Sequence, residues 1–228
     1  DLGEIDLLAD ISKPDYGIIT NIGDSHLEFL KSRENVFKAK SEIVSHIKSK
    51  LFTSYDDPYL QVLDGTKVSI KNDKADYYAQ DINLSGDGTA FMLNKNTKVR
   101  TNLIGEHNIL NLLFGIALSE EFGISEEELL NEVKNIRLTD MRFQKIESGN
   151  IIYINDAYNA SPLSMEKAIL TFSEIYNDRY KIVILGDMLE LGDKAVKFHE
   201  ELEKLLRNTR QSEILLYGPL MKSLYEKI

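Results

Sequence analysis

Residues 152–162 read IYINDAYNASP, a short apolar run that ends directly in a cluster of polar side chains before a proline. The apolar run predicts a strand over 151–155, and Pro162 is typical of the first turn of a helix. Polar side chains at the carboxyl end of a strand lie where open α/β sheets bind their ligands. The same side chains are also ordinary turn formers and helix caps, so the pattern alone leaves both interpretations open.

Strands and helices alternate from about residue 140 to residue 228. Short apolar runs predict the strands, and apolar residues at three- and four-residue spacing predict the helices. Alternation of this kind is typical of a doubly wound, Rossmann-like sheet. The predicted elements are strands over 151–155, 181–185 and 213–217, with helices over 162–176 and 194–206 between them.

A second polar loop follows the next predicted strand, where residues 186–192 read GDMLELG. It brings two carboxylates, Asp187 and Glu190, to what we expect to be the same edge of the same sheet as residues 155–162. Each loop alone could be a solvated turn. Two such loops at one edge favour a functional site in this half of the chain.

In the first half the predicted strands and helices do not alternate regularly. This change in the order of elements places a domain boundary near Thr139 and predicts domains over 1–139 and 140–228. Lys40 falls on a predicted amphipathic helix over 33–48, on a different face from most of its apolar stripe. The other predicted elements are a buried strand over 16–21, β-like runs over 67–70, 77–84, 90–93 and 98–104, a hairpin turn over 85–88, a buried helix over 109–122, and a helix capped by Ser125 and Glu128.

Composition narrows the class of protein and its partners. The 228 residues carry 27 Lys and Arg against 37 Asp and Glu, a formal charge of -10, and no basic stripe interrupts that balance. No nucleic acid is therefore expected as a main partner. No run of about 18 apolar residues could span a bilayer, no signal-peptide pattern opens the sequence, and cysteine is absent. We expect a cytoplasmic monomer without membrane insertion.

The two polar loops resemble the paired signatures of the Mur ligase family, and most closely those of its MurF-type branch. Residues 155–165, NDAYNASPLSM, match the first signature, and GDMLELG matches the second. The resemblance implies an α/β fold, in which a partial central ATPase domain precedes a Rossmann-like C-terminal domain. Further matches occur in family order at Gly3-Glu4-Ile5, residues 20–26 (TNIGDSH), residues 39–43 (AKSEI), residues 105–108 (GEHN) with Asn111, and Arg142.

The resemblance also implies a reaction, the addition of D-alanyl-D-alanine to a UDP-N-acetylmuramoyl tripeptide in peptidoglycan precursor synthesis. A substrate carboxylate attacks the γ-phosphate of ATP to give an acyl phosphate, and the incoming amine then displaces phosphate. Such a site must bring anions together. Mg²⁺ and fixed cations do so by neutralising phosphate charge and stabilising the charge that develops during transfer.

His26 and a carbamylated Lys40 are the magnesium-site residues that the resemblance implies. A lysine that has taken up carbon dioxide becomes a carboxylate-like anion with hard oxygens suited to Mg²⁺. Its amine must first be neutral, whereas an ordinary lysine has a pKa of about 10.4, so nearby cations or burial must help. Without the family context, Lys40 would be a solvated helix lysine and His26 an exposed loop histidine.

The resemblance assigns further residues to the nucleotide. Asn108 and Asn111 share one helix face and could offer amide groups to adenine, although they could also be cap or packing residues. Arg142 is implied for an ATP phosphate, which suits a guanidinium fork, and Asp156 for the ribose hydroxyls. Four candidates are expected to face the same cleft with no assigned role: Tyr158, Asn159, Asp187 and Glu190.

The chain also departs from the family pattern. It contains no GKT or GKS phosphate loop, and Ser161 stands where the family usually has asparagine. Asp1 replaces an initiating Met, and residues 220–228 end within a helical pattern. We therefore expect a piece of a larger ligase that lacks the N-terminal domain, the phosphate loop and the extreme C-terminus, and that is inactive by itself.

Two alternatives stay open. Another Mur-type or folylpolyglutamate-synthetase-like ligase would share the ATP and metal chemistry but add a different amine, and NDAYN with GDMLELG argues against it. The other alternative is a non-catalytic nucleotide-binding domain, because a fold does not determine a function. The presence or absence of an upstream GKT or GKS loop in the full gene product would separate a ligase from such a domain.

Overall fold

The computed structural model describes residues 1–136 and 139–228. Six strands in the first half form one mixed sheet, and they follow the spatial order β1 Tyr16–Ile19, β2 Lys50–Ser54, β3 Thr66–Ser69, β4 Tyr77–Ser85, β5 Gly88–Leu93 and β6 Thr97–Thr101. Strands β1 to β4 run parallel, whereas β5 pairs antiparallel with β4 and β6. The helices of this half are α1 Glu4–Ser12, α2 Leu27–Leu30, α3 Arg33–Ser41, α4 Glu106–Glu121 and α5 Glu126–Glu132.

Helix α4 forms the centre of the core in the first half. Ile109 and Leu113 are completely buried and belong to one cluster with Phe52 and Val68 of the sheet. Burying each such side chain contributes about 1.5–3 kcal/mol. The predicted buried helix is thus confirmed, with Asn111 on the face left to solvent. Within residues 1–136 and 139–228, no helix combines the length and apolar character that crossing a bilayer requires.

Helix α3 is shorter than its apolar stripe predicts. It ends at Ser41 instead of continuing to Lys48, and a 3-10 turn over Glu42–His46 follows. That turn aims the Glu42 carboxylate at the start of α1, where it accepts two backbone N–H groups at 2.7 and 3.1 Å. The first N–H groups of a helix have no partner within it. The change from α-helix to 3-10 turn after Ser41 therefore coincides with a contact between Glu42 and the start of α1, two segments that are distant in sequence.

Strand β2 is absent from the sequence predictions. It lies between β1 and β3, and four of its five residues are buried. A parallel strand buried on both faces lacks the alternation of polar and apolar residues that marks a half-exposed strand. The run KLFTS is therefore too short and too uniform to be recognised without its neighbours.

The second half contains two small sheets and three helices. The strands are β7 Gln144–Ser148, β8 Ile151–Asn155, β9 Ile182–Gly186 and β10 Glu213–Tyr217, and the helices are α6 Pro162–Glu174, α7 Ala195–Arg207 and α8 Met221–Tyr225. Strand β7 pairs antiparallel with β8, and β9 pairs parallel with β10. The three helices bury the inner face of β9 in one apolar cluster, which includes Val183, Leu185, Leu202 and Leu206.

The expectation that the two polar loops leave one continuous sheet is wrong for the described residues. Strand β8 bonds to β7 in a hairpin that turns at Gly149, which has a φ of 58°. No ladder joins β8 to β9 in the part of the chain that the structure describes. Strand β7 is absent from the sequence predictions, and it supplies the partner of β8. The two loops face each other across a cavity instead of sharing a ladder.

The predicted helix caps are present. Ser125 accepts the N–H of Glu128, and the Glu128 carboxylate accepts the N–H of Ser125 at 3.1 Å, which completes the predicted capping box. Ser161 likewise accepts the N–H of Ser164 at the start of α6. Each cap stabilises its helix by about 1 kcal/mol. Ser161 therefore has a structural role whichever residue the family places there.

The tip of the β4–β5 hairpin connects the two halves. The Tyr176 hydroxyl donates to the carbonyl of Gly86 at 2.6 Å, and Lys145 pairs with Asp87 at 2.7 Å. A Cβ added at Gly86 would come within 2.2 Å of the Tyr176 ring. The close approach of ring and backbone thus requires glycine at this position.

Candidate functional site

Lys40 lies on the last turn of α3 and reaches toward the loop that follows β1. Its side chain is half-buried, and Nζ donates to the carbonyl of Asn21 at 2.9 Å. Burial lowers the pKa of Lys40 below its ordinary value, and the nearby Asp57 carboxylate opposes part of that shift. Carbon dioxide adds only to a neutral amine. The direction of the shift is therefore the one that carbamylation requires.

Asp57 belongs to the same neighbourhood and is absent from the sequence predictions. Its carboxylate accepts the N–H of Ile22 at 2.6 Å and that of Tyr59 at 3.0 Å. It thereby holds the loop whose Asn21 carbonyl meets Lys40. In the sequence, the pair Asp56-Asp57 after β2 could have indicated this site. That indication depends on recognising β2, which is absent from the sequence predictions.

His26, from the loop over residues 20–26 in the first half, and Glu190, from the loop over residues 186–192 in the second half, meet in space. His26 has a left-handed φ of 55°, and its Nδ1 lies 2.6 Å from a carboxylate oxygen of Glu190. Both side chains remain more than half exposed, so the pair by itself stabilises the fold by about 1 kcal/mol or less. The N–H of Glu28 donates to the carbonyl of Glu190 at 3.0 Å. The resemblance implied both loops, and the structure brings them together.

Arg142, Asp156 and Tyr158 form a second group. The Arg142 guanidinium lies 4.1 Å from the centre of the Tyr158 ring, a distance at which a cation is attracted to the ring face. Asp156 accepts the N–H of Phe143 at 2.8 Å. Burial raises the pKa of the Asp156 carboxyl, while that hydrogen bond and the charge of Arg142 oppose the rise. A cation, a carboxylate and an aromatic ring are thus available next to one another.

A cavity of about 770 Å³ lies between the β7–β8 hairpin and β9, within the range typical of small-molecule sites. Three of the predicted candidates line it, namely Asp156, Asn159 and Asp187. The Asp187 carboxylate also accepts the N–H groups of Leu220 and Met221 at 3.2 and 2.9 Å, and so it caps α8. Tyr158 lies against Arg142 and Glu190 lies against His26, as described above.

The two adenine candidates have unequal surroundings. The Asn108 amide donates to the carbonyl of Ile104 at 2.9 Å, one turn earlier. Asn111 is exposed on the same helix. A contact of these two residues with adenine stays a prediction.

Comparison with known proteins decides the family. The pattern of the Mur ligase middle domain matches residues 1–119, and the pattern described as Mur ligase, glutamate ligase domain, matches residues 141–228. The chain belongs to the Mur ligase family. The α/β fold that the resemblance implied, with a middle domain followed by a C-terminal domain, is confirmed. The boundary near Thr139 stays a prediction.

Several relatives of this Mur ligase are MurF-type enzymes. The UDP-N-acetylmuramoyl-tripeptide–D-alanyl-D-alanine ligase of Bacillus subtilis is 37% identical over 225 residues, which are 96% of this chain and 49% of that protein. A crystal structure of MurF from Acinetobacter baumannii superimposes with a TM-score of 0.88 at 26% identity, covering 99% of this chain and 51% of that one. MurF ligase from Thermotoga maritima, in complex with ADP, gives 0.85 at 24% identity, covering 98% and 54%.

The length of these matches limits what they establish. This Mur ligase chain spans about half the length of the relatives that it matches. The family and the fold are therefore established, because the match extends over nearly all of the chain. The activity, substrates and partners of the whole protein are therefore proposals.

The stability of this Mur ligase should fall in acid because of His107. Burial lowers its pKa from 6.5 to about 4, and among the described residues its Nδ1 has no hydrogen-bond partner. The unfolded chain takes up this proton at a higher pH than the folded chain does. The stability due to neutral His107 is thus complete above about pH 6.5 and is lost as the pH falls toward 4. At 1.36 kcal/mol per pKa unit, the change from 6.5 to about 4 corresponds to a loss of about 3 kcal/mol.

Urea unfolding of the chain and of His107→Gln across this pH range measures the effect. We expect the variant to lose less stability on acidification than the unmodified chain, by the difference just given. Carboxylates titrate equally in both proteins, so they cancel in the comparison. Parallel stability curves for the two proteins would contradict the prediction.

Proposed function

We propose that the whole protein is an ATP-dependent, cytoplasmic ligase that adds D-alanyl-D-alanine to a UDP-N-acetylmuramoyl tripeptide in peptidoglycan precursor synthesis. The observation that carries this proposal is the match to the Bacillus subtilis enzyme of that name over 96% of the chain. The groups around Lys40, His26 and Arg142 support it, because they offer the charges that such a reaction needs.

The proposed reaction has two steps. A carboxylate oxygen of the tripeptide attacks the γ-phosphorus of ATP, the bond from that phosphorus to the β–γ bridging oxygen breaks, and ADP leaves. The amine of D-alanyl-D-alanine then attacks the acyl carbon and loses a proton, and inorganic phosphate leaves. Charge on the transferred phosphoryl group must be neutralised throughout. We assign part of that task to Arg142, whose planar guanidinium suits phosphate oxygens.

The remaining nucleotide contacts follow from the same proposal. Asp156, one of the cavity-lining residues, would accept the ribose hydroxyls, and Asn108 with Asn111 would bind adenine. Tyr158 would orient Arg142, since the ring and the guanidinium already stack. Asn159 and Asp187 remain candidates for contacts in the cavity.

We propose a magnesium ion beside His26, on the chemistry of the donors present. Mg²⁺ is usually bound through one or two carboxylates together with substrate phosphates and several waters. Glu190 supplies a carboxylate 2.6 Å from His26, whereas no group of three or more His, Cys, Asp or Glu suited to a metal occurs among residues 1–136 and 139–228. The proposed ion would therefore also need the carbamate and substrate phosphates. We propose that His26 and a carbamate on Lys40 would hold the ion. Bound there, the ion would neutralise phosphate charge.

The 228-residue chain itself is expected to be inactive in ligation. It contains no run of the GKT or GKS type, whose backbone N–H groups and lysine cradle phosphates in ATP-binding proteins. We propose that the part of the whole protein outside this chain supplies that loop. Ligation by the 228 residues alone would contradict this division of the site.

The test is the substrate dependence of the whole protein. We expect ADP and phosphate to form only when UDP-N-acetylmuramoyl tripeptide and D-alanyl-D-alanine are both present. Chromatography should then detect a product in which the tripeptide and the dipeptide are joined. D-Glutamate and a diamino acid serve as alternative amines in matched reactions. Equal turnover with either of them would reject D-alanyl-D-alanine as the substrate. The absence of nucleotide hydrolysis under every condition would favour a non-catalytic nucleotide-binding domain.

A further inference from the structure

His199 is a completely buried histidine that the proposed reaction does not use. It lies on α7, and its Nδ1 contacts the carbonyl of Ala195 at 2.6 Å. Its Nε2 receives the N–H of Met188 at 3.0 Å. A carbonyl can only accept and a backbone N–H can only donate, so the hydrogen is on Nδ1 and the lone pair on Nε2 faces Met188. The two contacts determine both the tautomer and the orientation of the ring.

Met188 belongs to the loop GDMLELG, and the loop is anchored on both sides of its exposed tip. Met188 and Leu191 are buried in the apolar cluster of the second half, whereas Leu189 is 69% exposed. Glu190 adopts a left-handed φ of 59°. Between the two anchors, its side chain reaches His26 and its carbonyl accepts the N–H of Glu28. The conformation of the tip thus determines a contact between the two halves of the chain.

We infer that His199 is a positioning residue, which holds the Met188 N–H so that the loop presents Glu190 to His26 and Glu28. Among the described residues, the His199 ring is the hydrogen-bond partner of the buried Met188 N–H, so without that acceptor the donor would have to seek another partner, and the loop would have to move. The importance of this contact for metal binding rests on the proposed function. The contact itself can be tested without any activity.

Packing alone does not account for a histidine at this position. The apolar cluster of this half includes Met188, whose N–H the ring accepts, and Leu202 and Leu206, which lie on α7 as His199 does. A buried leucine or phenylalanine on α7 would leave no ring nitrogen to satisfy. A buried polar side chain is normally tolerated only when its hydrogen-bonding groups are satisfied. Both ring nitrogens of His199 have partners, and the partner of Nε2 is the backbone of the loop.

Hydrogen–deuterium exchange of the 228-residue chain tests the inference at single amides. His199→Leu removes the acceptor and keeps an apolar side chain, whereas His199→Gln restores an acceptor through its amide oxygen. In His199→Leu we expect exchange at Met188 and at Glu28 to accelerate by about tenfold or more, which corresponds to the loss of a hydrogen bond to a buried donor. In His199→Gln, exchange at Glu28 should remain close to that of the unmodified chain. Leu113, in the core of the first half, should be unaffected.

Leu206→Ala is the matched control, because it weakens the same apolar cluster and leaves the ring of His199 in place. If Leu206→Ala accelerates exchange at Glu28 as much as His199→Leu does, a general loss of stability explains the effect and the inference is overturned. Unchanged exchange at Glu28 in His199→Leu would overturn it as well. A positive exchange result combined with an inactive whole protein would reject the proposed function but leave the role of His199 standing.

Discussion

Replacing Lys40 by alanine should lower kcat of the whole protein by at least about 10²–10³-fold, the loss typical when one group that stabilises transition-state charge is removed. The lysine is half-buried beside the loop after β1, and burial lowers its pKa. A neutral amine there can take up carbon dioxide and become an anionic ligand for the proposed magnesium ion. The measurement is the steady-state rate of ADP formation with both proposed substrates present. Added short carboxylates should restore part of the activity.

Lys38→Ala is the control for this experiment. Lys38 lies on the same helix, but it is exposed, so its loss should leave kcat nearly unchanged. Mass spectrometry under native conditions can follow the added carbon dioxide on the unmodified chain and its loss in Lys40→Ala. A fully active Lys40→Ala protein would remove Lys40 from the catalytic site and would end the carbamate proposal.

Phe52→Ala should lower the free energy of unfolding of the 228-residue chain by about 3–5 kcal/mol, as is typical for deleting a buried aromatic side chain. Phe52 lies on β2 with no exposed surface, and it packs in the same cluster as Ile109 and Leu113 of α4. Its ring lies 6.4 Å from that of Tyr16 on the neighbouring strand. The removal of its ring therefore leaves a cavity at the junction of sheet and helix. Urea unfolding followed by circular dichroism measures the change.

Phe29→Ala deletes the same side chain at a position that is 54% exposed. Its cost should be about 1 kcal/mol or less, because little apolar area returns to water. Similar losses for the two variants would mean that β2 does not pack as described. That outcome would also weaken the placement of Asp57, which follows β2 in the chain.

Local patterns were sufficient for the elements whose partners lie close in sequence. The capping box at Ser125, a helix cap at Ser161 and the hairpin turn over 85–88 are all present in the structure. Buried helix α4 was predictable for a related reason, since its apolar residues continue for several turns. Strands β2 and β7 were not, because short strands are defined by the strands beside them.

In the candidate site, the identities of the residues could be predicted from the sequence, whereas the distances between them could not. The motifs that resemble the Mur ligase family, in family order along the chain, indicated a Mur ligase, and that resemblance named His26, Lys40 and Arg142. The distances between those residues depend on how the two halves pack, and no spacing along the chain determines them. Asp57 and His199 escaped notice because each acts on a backbone N–H of a distant or folded loop, and such a bond exists only after folding.

The sequence by itself therefore determined the α/β class through its local periodicity, and the resemblance of its motifs indicated the family and the candidate residues. Only the tertiary structure decided that β8 pairs with β7 and leaves a cavity before β9, and that Glu190 meets His26. The physical reason is that strand pairing and contacts between loops join residues far apart in the chain. Their free energies come from burial and hydrogen bonds that form only when the whole chain has packed.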